Sequence, residues 1–253
     1  MKPKIVVIDS GLGGLTIFKQ LIAQTSNIHF VADNKHFPYG TKKTSELVNI
    51  IDRLIHYFLN NQYDKVILAC NTASLIYDKY LRYKYKNEVI TIIDSTIAEI
   101  ENIYNLSHVG IIATNKVIES NIYQDYIKRK YQIRTTTIAC SELVNLCENY
   151  DKLKINAFIK QHFSIFKENK IDALILACTH FNIIEKEIDR FFKHEVPLIC
   201  SGYGLSKQLK LSYLCFMCGR NQIFLTNNHK NYVEKIRYLF PEFKNIKIKS
   251  LNI

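Results

Sequence analysis

Short runs of apolar, often β-branched residues alternate along this chain with longer segments in which apolar residues recur every three or four positions. This alternation of strand-like and helix-like segments is typical of a parallel sheet with helices on both faces. The longest helical segment in the first part of the chain, residues 44–61, has Thr44 or Ser45 as a candidate cap. The strands predicted there are residues 4–9, 28–33, 65–70 and 88–94.

The same series starts again after residue 107. It includes a long amphipathic segment at residues 154–169, and the last part of the chain adds a strand at 222–228 and a helix at 231–240. The strands of this second series are predicted at residues 108–114, 133–140, 172–178 and 196–200. The expected fold class is therefore α/β, with two doubly wound parallel-sheet lobes related by pseudo-symmetry and the active site between them.

The predicted domain division follows from the two series. Residues 1–95 together with 206–253 are assigned to a first α/β lobe, and residues 96–205 to a second. The link between the lobes is expected near residues 94–97.

Two strand-to-helix segments repeat the same frame. KVILACNTAS at 65–74 and ALILACTHFN at 173–182 share Ile-Leu-Ala-Cys, and an aspartate lies six residues before each cysteine. A single cysteine at a strand end is usually a small core residue. Two in one duplicated frame, each beside polar residues, favour Cys70 and Cys178 facing each other across a site. Because a helix begins after each, we expect helix N-termini to bring the thiol pKa values toward neutrality.

Other polar side chains follow predicted strands at the same edge. Asp9 and Ser10 precede a glycine-rich turn that lacks the spacing of a dinucleotide-binding motif, so Asp9 is interpreted as an acid, a base or an orienting group, with a helix cap as the alternative. Asp33 and Thr114 also end strands. These residues are therefore candidates for the same site.

Three further features have both a functional and a plain structural interpretation. His180 lies two residues beyond Cys178 and is placed to exchange a proton with that thiol. Glu148 belongs either to the site or to a solvated helix face. The tripeptide Pro38-Tyr39-Gly40 is a turn in either case.

Cys215 and Cys218 form a lone CxxC pair that lacks two further zinc ligands, so core packing is favoured over a metal.

The composition of the chain argues against a membrane protein, a secreted protein and a nucleic-acid-binding protein. The chain of 253 residues is 47% hydrophobic and has no uncharged apolar run of 18 residues, so no membrane span or secretion signal is expected and the cytoplasm is the predicted location. The seven cysteines are then expected to be thiols. The net charge of +11 comes from scattered lysines, so nucleic acid is not the expected partner, although a small anionic substrate would be attracted.

Taken together, several segments resemble the glutamate racemases of the cofactor-independent aspartate/glutamate racemase superfamily. They are DSGLGGLT at 9–16, PYG at 38–40, CNTAS at 70–74, Ala113-Thr114, Glu148 and CTH at 178–180. The resemblance implies a reaction without pyridoxal phosphate or metal. One cysteine thiolate would remove the α-proton of glutamate while the opposite thiol delivers a proton to the other face.

The resemblance also implies roles for individual residues. Cys70 would act on D-glutamate with help from Asp9, and Cys178 on L-glutamate with help from His180. Glu148 would lie near the substrate ammonium or beside His180, and Asp33 would support the site. The groups implied to hold the substrate are Ser10, Pro38, Tyr39, Gly40, Asn71, Thr72, Thr114 and Thr179. Where the family often has a second threonine, this chain has Val117, which removes one potential carboxylate contact.

The resemblance implies that the chain racemises glutamate for peptidoglycan synthesis and that it does so as a cytoplasmic homodimer. The first alternative is an aspartate racemase or a related racemase of the same superfamily. The second is a basic protein without activity that binds nucleic acid or a topoisomerase, which the net charge suggests and the presence of both cysteines opposes.

Overall fold

The computed structural model consists of two parallel β-sheets with helices on both faces. It describes residues 3–24, 26–85, 87–100, 103, 106–205, 209, 220–227 and 230–253. The predicted fold class is confirmed.

The first sheet contains the first four strands of the chain and two that follow residue 220. The strands are β1 (Ile5–Asp9), β2 (Ile28–Ala32), β3 (Lys65–Leu68), β4 (Val89–Thr91), β9 (Gln222–Leu225) and β10 (Lys247–Ser250). Their order is β10-β9-β2-β1-β3-β4. The helices on this side are α1 (Leu15–Ile22), α2 (Thr44–Asn60), α3 (Asn71–Tyr80), α4 (Arg82–Tyr85) and α13 (Lys230–Leu239).

The second sheet contains the four strands between them. These are β5 (His108–Ala113), β6 (Arg134–Ala139), β7 (Ala173–Ala177) and β8 (Leu198–Cys200), in the order β6-β5-β7-β8. The remaining helices are α5 (Ile92–Ile100), α6 (Asn115–Glu119), α7 (Ile122–Tyr131), α8 (Ser141–Asn149), α9 (Lys152–His162), α10 (Ser164–Glu168), α11 (Thr179–Ile183) and α12 (Glu185–Phe191).

The two sheets share one strand order and one register. In the first, β1 lies between β2 and β3 and Ile8 pairs with Leu68; in the second, β5 lies between β6 and β7 and Ile112 pairs with Leu176. Each cysteine of the duplicated segments therefore lies two residues beyond an equivalent pair, at the carboxyl end of an equivalent strand. This shared register is the pseudo-symmetry that the duplicated segments predict.

The central strands of each sheet are buried on both faces, because helices cover the side chains that point to either side. On β1, Val6 and Ile8 pack in the cluster that contains the apolar face of α2, whereas Ile5 and Val7 pack in the cluster with α1 and α13. Burial of each such side chain contributes roughly 1.5–3 kcal/mol to folding. The central strands consequently appear in the sequence as continuous apolar runs.

The predicted strand at residues 88–94 is wrong in its second half, because β4 ends at Thr91 and α5 begins at Ile92. The hydroxyls of Ser95 and Thr96 both donate to the Ile92 carbonyl, at 2.9 and 2.7 Å, which closes the first helical turn.

Helix α5 connects the two sheets. Ile92 packs in a cluster of the first sheet, whereas Ile93, Ile97 and Ile100, at helical spacing, pack in a cluster of the second. The link expected at residues 94–97 is therefore part of a helix. The exact domain boundaries stay a prediction.

Three smaller differences have local causes. Strand β10 was not predicted, because Lys247 and Lys249 interrupt its apolar pattern at an exposed sheet edge. The predicted helix at residues 154–169 is interrupted at Phe163, whose side chain is fully buried in the second-sheet core. Helix α2 starts after Lys43 without a side-chain cap, so the predicted cap by Thr44 or Ser45 is wrong.

Ser74 joins three elements of the first sheet, and its replacement tests their coupling. Its buried hydroxyl donates to the Leu68 carbonyl at 2.9 Å and accepts from the Ile92 amide at 3.3 Å. Ser74→Ala leaves both backbone groups without this partner, so the free energy of unfolding should fall by about 1–3 kcal/mol. Urea unfolding measures this, with exposed Ser45→Ala as the control. Equal stability of the two variants would contradict the coupling.

Candidate active site

The carboxyl ends of the two sheets face each other across a small cavity of about 20 Å³. A cavity of this size has room for about one water molecule. Ser10 and Cys70 follow strands of the first sheet, and Thr114 and Cys178 follow strands of the second. The residues lining the cavity are Ser10, Pro38, Tyr39, Gly40, Thr41, Cys70, Asn71, Thr72, Thr114, Ser141, Val144, Cys178 and His180.

Cys70 and Cys178 enter this cavity from different sheets. Each is the residue immediately before a helix, Cys70 before α3 and Cys178 before α11. Both side chains are almost fully buried, at 8% and 7% exposure. The structure therefore brings together the two cysteines that the duplicated segments single out.

The prediction that a helix N-terminus brings the thiol pKa toward neutrality is wrong for Cys70. Burial raises its pKa, and the negative charge of Asp9 raises it further, whereas the amides of Ala73 and Thr72 at the start of α3 act in the opposite direction. Burial outweighs the helix terminus here because the cavity removes water from the thiolate. Cys70 is consequently held as a thiol.

Cys178 has a charged pair behind it. His180 Nδ1 lies 4.0 Å from Cys178 Sγ, and His180 Nε2 lies 2.7 Å from Glu148 Oε2. Burial alone would lower the pKa of His180, but its contacts with Cys178 and Glu148 raise that pKa well above the ordinary value. Burial likewise opposes ionisation of Glu148, yet its bonds to His180, Tyr232 and Leu12 leave its pKa below the ordinary value. An imidazolium–carboxylate pair therefore lies beside the Cys178 thiol.

Asp9 is fully buried at the end of β1 and bonds to both halves of the molecule. Its Oδ1 accepts from the Gly11 amide and its Oδ2 accepts from the Thr179 hydroxyl, each at 2.9 Å. Burial raises the pKa of Asp9, although the charge of His180 and these two bonds partly offset that effect. Asp9 is therefore able to hold a proton close to the Cys70 thiol.

The glycine-rich turn after Asp9 permits the close approach of the second sheet. A Cβ atom at Gly13 would lie 2.6 Å from both the His180 amide nitrogen and Thr179 Oγ1, and one at Gly11 would lie 3.0 Å from Glu148 Oε2. Real Cβ contacts essentially never fall below 3.0 Å. The turn therefore serves as a contact surface for the His180 segment. The sequence alone had excluded a dinucleotide-binding motif here but had not assigned the turn a role.

Neutral hydrogen-bonding groups surround the rest of the cavity. The hydroxyls of Thr72 and Thr114, from different sheets, lie 3.3 Å apart, and Asn71 Nδ2 donates to Ser201 Oγ at 2.8 Å. Tyr123 also donates its hydroxyl proton to Asn71 Oδ1. The amide of Asn71 is thereby fixed in orientation at the start of α3.

The segment at residues 38–40 closes the cavity on one side. Gly40 approaches Thr114 so closely that a Cβ there would be 3.2 Å from its side chain. The Tyr39 hydroxyl donates to Asp33 Oδ2 at 2.7 Å, and Asp33 also bonds to His36 and Thr226. Asp33 thus anchors Tyr39 and does not itself line the cavity.

Most residues predicted for the site converge on it. Asp9, Thr179 and Glu148 lie directly behind the lining side chains, and Glu148 is on the His180 side rather than on a solvated face. Thr41, Ser141 and Val144 line the cavity but were not predicted as site residues. Ser141 directly follows the predicted strand at 133–140, as the recognised candidates follow theirs, and that signal could have identified it.

Other predicted features lie away from the cavity or outside the described residues. Val117 is buried in an apolar cluster of the second sheet and does not line the cavity. Cys215 and Cys218 lie outside the described residues. In the described part of the chain the five cysteines are thiols, and no group of three or more His, Cys, Asp or Glu side chains is arranged around a metal position. None of the described helices is both long and apolar enough to cross a membrane.

Known proteins match this chain over most of its length. The profile of the family described as Asp/Glu/Hydantoin racemase matches residues 14–203. Glutamate racemase from Fusobacterium nucleatum is 32% identical, covering 76% of this chain and 75% of that protein. Glutamate racemase from a Sulfurovum species is 29% identical, covering 98% and 99% of the two chains. The crystal structure of glutamate racemase from Francisella tularensis in complex with D-glutamate has a TM-score of 0.81 at 26% identity, covering 99% and 97%.

Gly13→Ala tests the close contact between the turn and His180. The added methyl group must push apart the two sheets or the His180 segment, so the urea midpoint of unfolding should fall by the equivalent of about 1–3 kcal/mol. In Gly40→Ala the new Cβ would meet no atom closer than 3.2 Å, so the urea midpoint should fall by a smaller amount. An equal or larger loss for Gly40→Ala would contradict this account.

The His180–Glu148 pair also predicts a dependence on pH. The raised pKa of His180 gives stability that is complete below its ordinary value of 6.5 and is lost as pH rises through the folded pKa. The lowered pKa of Glu148 gives stability present above its ordinary value of 4.5 and lost as pH falls through the folded pKa. Stability from the pair is therefore greatest between about pH 4.5 and 6.5.

Glu148→Gln should remove this stability. It should also lower the pKa of His180, because burial disfavours the imidazolium and the carboxylate that compensates for burial is gone. Nitrogen-15 NMR of the histidine rings measures the titration, and His180→Asn assigns the signal. Glu142→Gln, an exposed change on the same helix, is the control. A His180 titration unaltered by Glu148→Gln would show that the pair does not hold the imidazolium charge.

Proposed function

This chain belongs to the Asp/Glu/Hydantoin racemase family, and from that premise we propose that it interconverts L- and D-glutamate by proton transfer between two cysteines. The resemblance predicted from the sequence motifs is confirmed at the level of the family, and with it the enzyme class, an isomerase that acts as an amino-acid racemase. The choice of glutamate is supported by relatives named glutamate racemase.

The observation that carries the proposal is the position of the two thiols. Cys70 and Cys178 occupy equivalent places in equivalent sheets, and both line the same small cavity. Racemisation needs a base on one face of the α-carbon and an acid on the other. Two thiols that approach from opposite sheets meet this requirement without a cofactor such as pyridoxal phosphate.

The proton balance of the proposed reaction is simple. Starting from L-glutamate, the Cys178 thiolate removes the α-proton and becomes a thiol, leaving a carbanion. The Cys70 thiol then gives its proton to the opposite face, which forms D-glutamate and a Cys70 thiolate. The reverse reaction exchanges the two roles. The raised pKa of Cys70 favours its thiol form, which is the proton donor in the L-to-D direction.

After L-to-D conversion the Cys70 thiolate must regain a proton and the Cys178 thiol must lose one, and Asp9 and His180 are proposed to mediate these two transfers. His180 Nδ1 lies 4.0 Å from Cys178 Sγ. Asp9 has a raised pKa and interacts with Cys70. Because the α-proton is very weakly acidic, the buried cavity must also stabilise the carbanion with fixed donors rather than with mobile water.

Neutral donors are proposed to hold the substrate. The lining hydroxyls, the Asn71 amide and the backbone amides at the start of α3 suit the carboxylates, and no lysine or arginine is among the described lining residues. The excess of lysine and arginine charge is therefore expected to act on the substrate only from a distance. The proposed holding groups are Ser10, Pro38, Tyr39, Gly40, Asn71, Thr72 and Thr114, which all line the cavity. Thr179 was also expected to hold the substrate, but it lies behind the lining and donates its hydroxyl to Asp9.

The proposal extends to the cellular setting. The product D-glutamate would supply peptidoglycan synthesis, and the enzyme would work as a homodimer in the cytoplasm. The support for this setting is membership of the racemase family.

Proton NMR in D₂O tests the reaction. Wild-type enzyme without added cofactor should convert L-glutamate into D-glutamate that carries deuterium at the α-carbon, and the reverse. Cys70→Ser and Cys178→Ser should each lower the rate of inversion by about 10²–10⁴-fold, since each removes an acid–base group. Cys200→Ser, at a buried cysteine on β8, is the control that should retain activity.

The substrates used in this assay distinguish the alternatives. Faster exchange with aspartate than with glutamate would favour the related racemase. No exchange with either amino acid would overturn the racemase proposal. Retention of inversion in either cysteine variant would overturn the two-thiol mechanism while leaving the reaction itself in place.

A further inference from the structure

A tyrosine of the C-terminal helix reaches the charged pair behind Cys178. Tyr232, on α13, donates its hydroxyl proton to Glu148 Oε1. The other carboxylate oxygen, Oε2, accepts from His180 Nε2 at 2.7 Å and from the Leu12 amide at 3.1 Å. Glu148 therefore has three donors, and two of them come from elements that pack on the first sheet.

We propose that Tyr232 is a positioning residue that keeps Glu148 ionised and directed at His180 during turnover. The inference rests on the proposed function, because it assigns a role within the acid–base group that serves Cys178. Tyr232 itself does not line the cavity.

The argument begins with burial. Glu148 is 4% exposed, and an ionised carboxylate at such a position is unfavourable unless hydrogen bonds compensate. Burial would raise its pKa, and the bonds from His180, then Tyr232, then Leu12 bring the pKa below the ordinary value. Removal of the tyrosine hydroxyl leaves Oε1 without this donor. Protonation of Glu148 then becomes easier, and a neutral Glu148 no longer supports the imidazolium of His180.

The position of the hydroxyl is fixed by how α13 packs. Val233, Ile236 and Leu239 of the same helix lie in the apolar cluster between α1 and the first sheet. Lys235 Nζ donates to Asn149 Oδ1 at 2.7 Å, which ties α13 to the end of α8, the helix that carries Glu148. The helix thus holds the Tyr232 hydroxyl at a fixed distance from a residue of the other sheet. Glu148 consequently has all three donors only when both sheets are in this arrangement.

Tyr232→Phe removes only the hydroxyl and tests the inference. Tyr238→Phe makes the same chemical change on the exposed side of the same helix, where the ring is 73% exposed, and serves as the matched control. Thermal unfolding and circular dichroism establish that both variants are folded. Two measurements follow, one that depends on activity and one that does not.

The first measurement is the pH dependence of kcat/KM for glutamate. In Tyr232→Phe the acid limb should move up by about one pH unit, which corresponds to about a tenfold loss on that limb and recovery as pH rises. The limb should stay in place in Tyr238→Phe. A uniform loss at every pH with an unmoved limb would overturn the proposal, since it is the result expected of a purely structural role.

The second measurement is the titration of the Glu148 carboxyl by carbon-13 NMR, with Glu148→Gln to assign the signal. The pKa of Glu148 should rise by about one unit in Tyr232→Phe and remain unchanged in Tyr238→Phe. An unchanged Glu148 titration in Tyr232→Phe would overturn the inference. If the wild type does not interconvert glutamate, the proposed function fails, and this titration still decides whether Tyr232 controls the charge of Glu148.

Discussion

Three ionisable side chains, Asp9, Glu148 and His180, are buried where the two sheets meet, and their need for partners fixes how the sheets are placed. Each would strongly disfavour its charged form if it were buried alone. The compensating bonds cross from one sheet to the other, from Thr179 to Asp9 and from the Leu12 amide to Glu148. Apolar clusters hold each sheet and its helices together and also cross between the sheets, as Leu75 of α3 does in a cluster of the second sheet. The polar contacts add a directional link between the sheets at the site itself.

This polar contact zone is possible only because the chain after β1 has almost no side chains to place there. Gly11 and Gly13 let the backbone of the first sheet lie against Thr179 and His180. A larger residue would separate Asp9 from its partner on the other sheet and leave a buried carboxylate without its donor. The same glycines therefore bring the second sheet close enough for the Thr179 hydroxyl to donate to Asp9.

The sequence is sufficient to predict the fold class and most of the site, because both follow from short-range patterns. Alternating strands and helices specify the parallel sheets, and a polar residue after each strand specifies the edge at which a site forms. The end of β4 could not be predicted from the apolar run, since the helix that follows it is favoured by the contacts of Ile93, Ile97 and Ile100 with the second sheet. The raised pKa of Cys70 was missed for a related reason, because the helix terminus is visible in the sequence and the degree of burial is not. Tyr232 was missed because its partner Glu148 is 84 residues away in the chain.

The two thiols occupy equivalent positions in the pseudo-symmetric frame, but their surroundings differ in charge. Cys70 is buried and lies near Asp9, and both burial and the negative charge of that carboxylate favour the thiol. Cys178 lies instead near the positive charge of the His180 imidazolium. The proposed reaction needs one thiol and one thiolate at the start of each turnover, and a perfectly symmetric site would not specify which is which. Duplication thus explains why the cysteines face each other, and the divergence of the residues behind them gives the two sides of the cavity different charges.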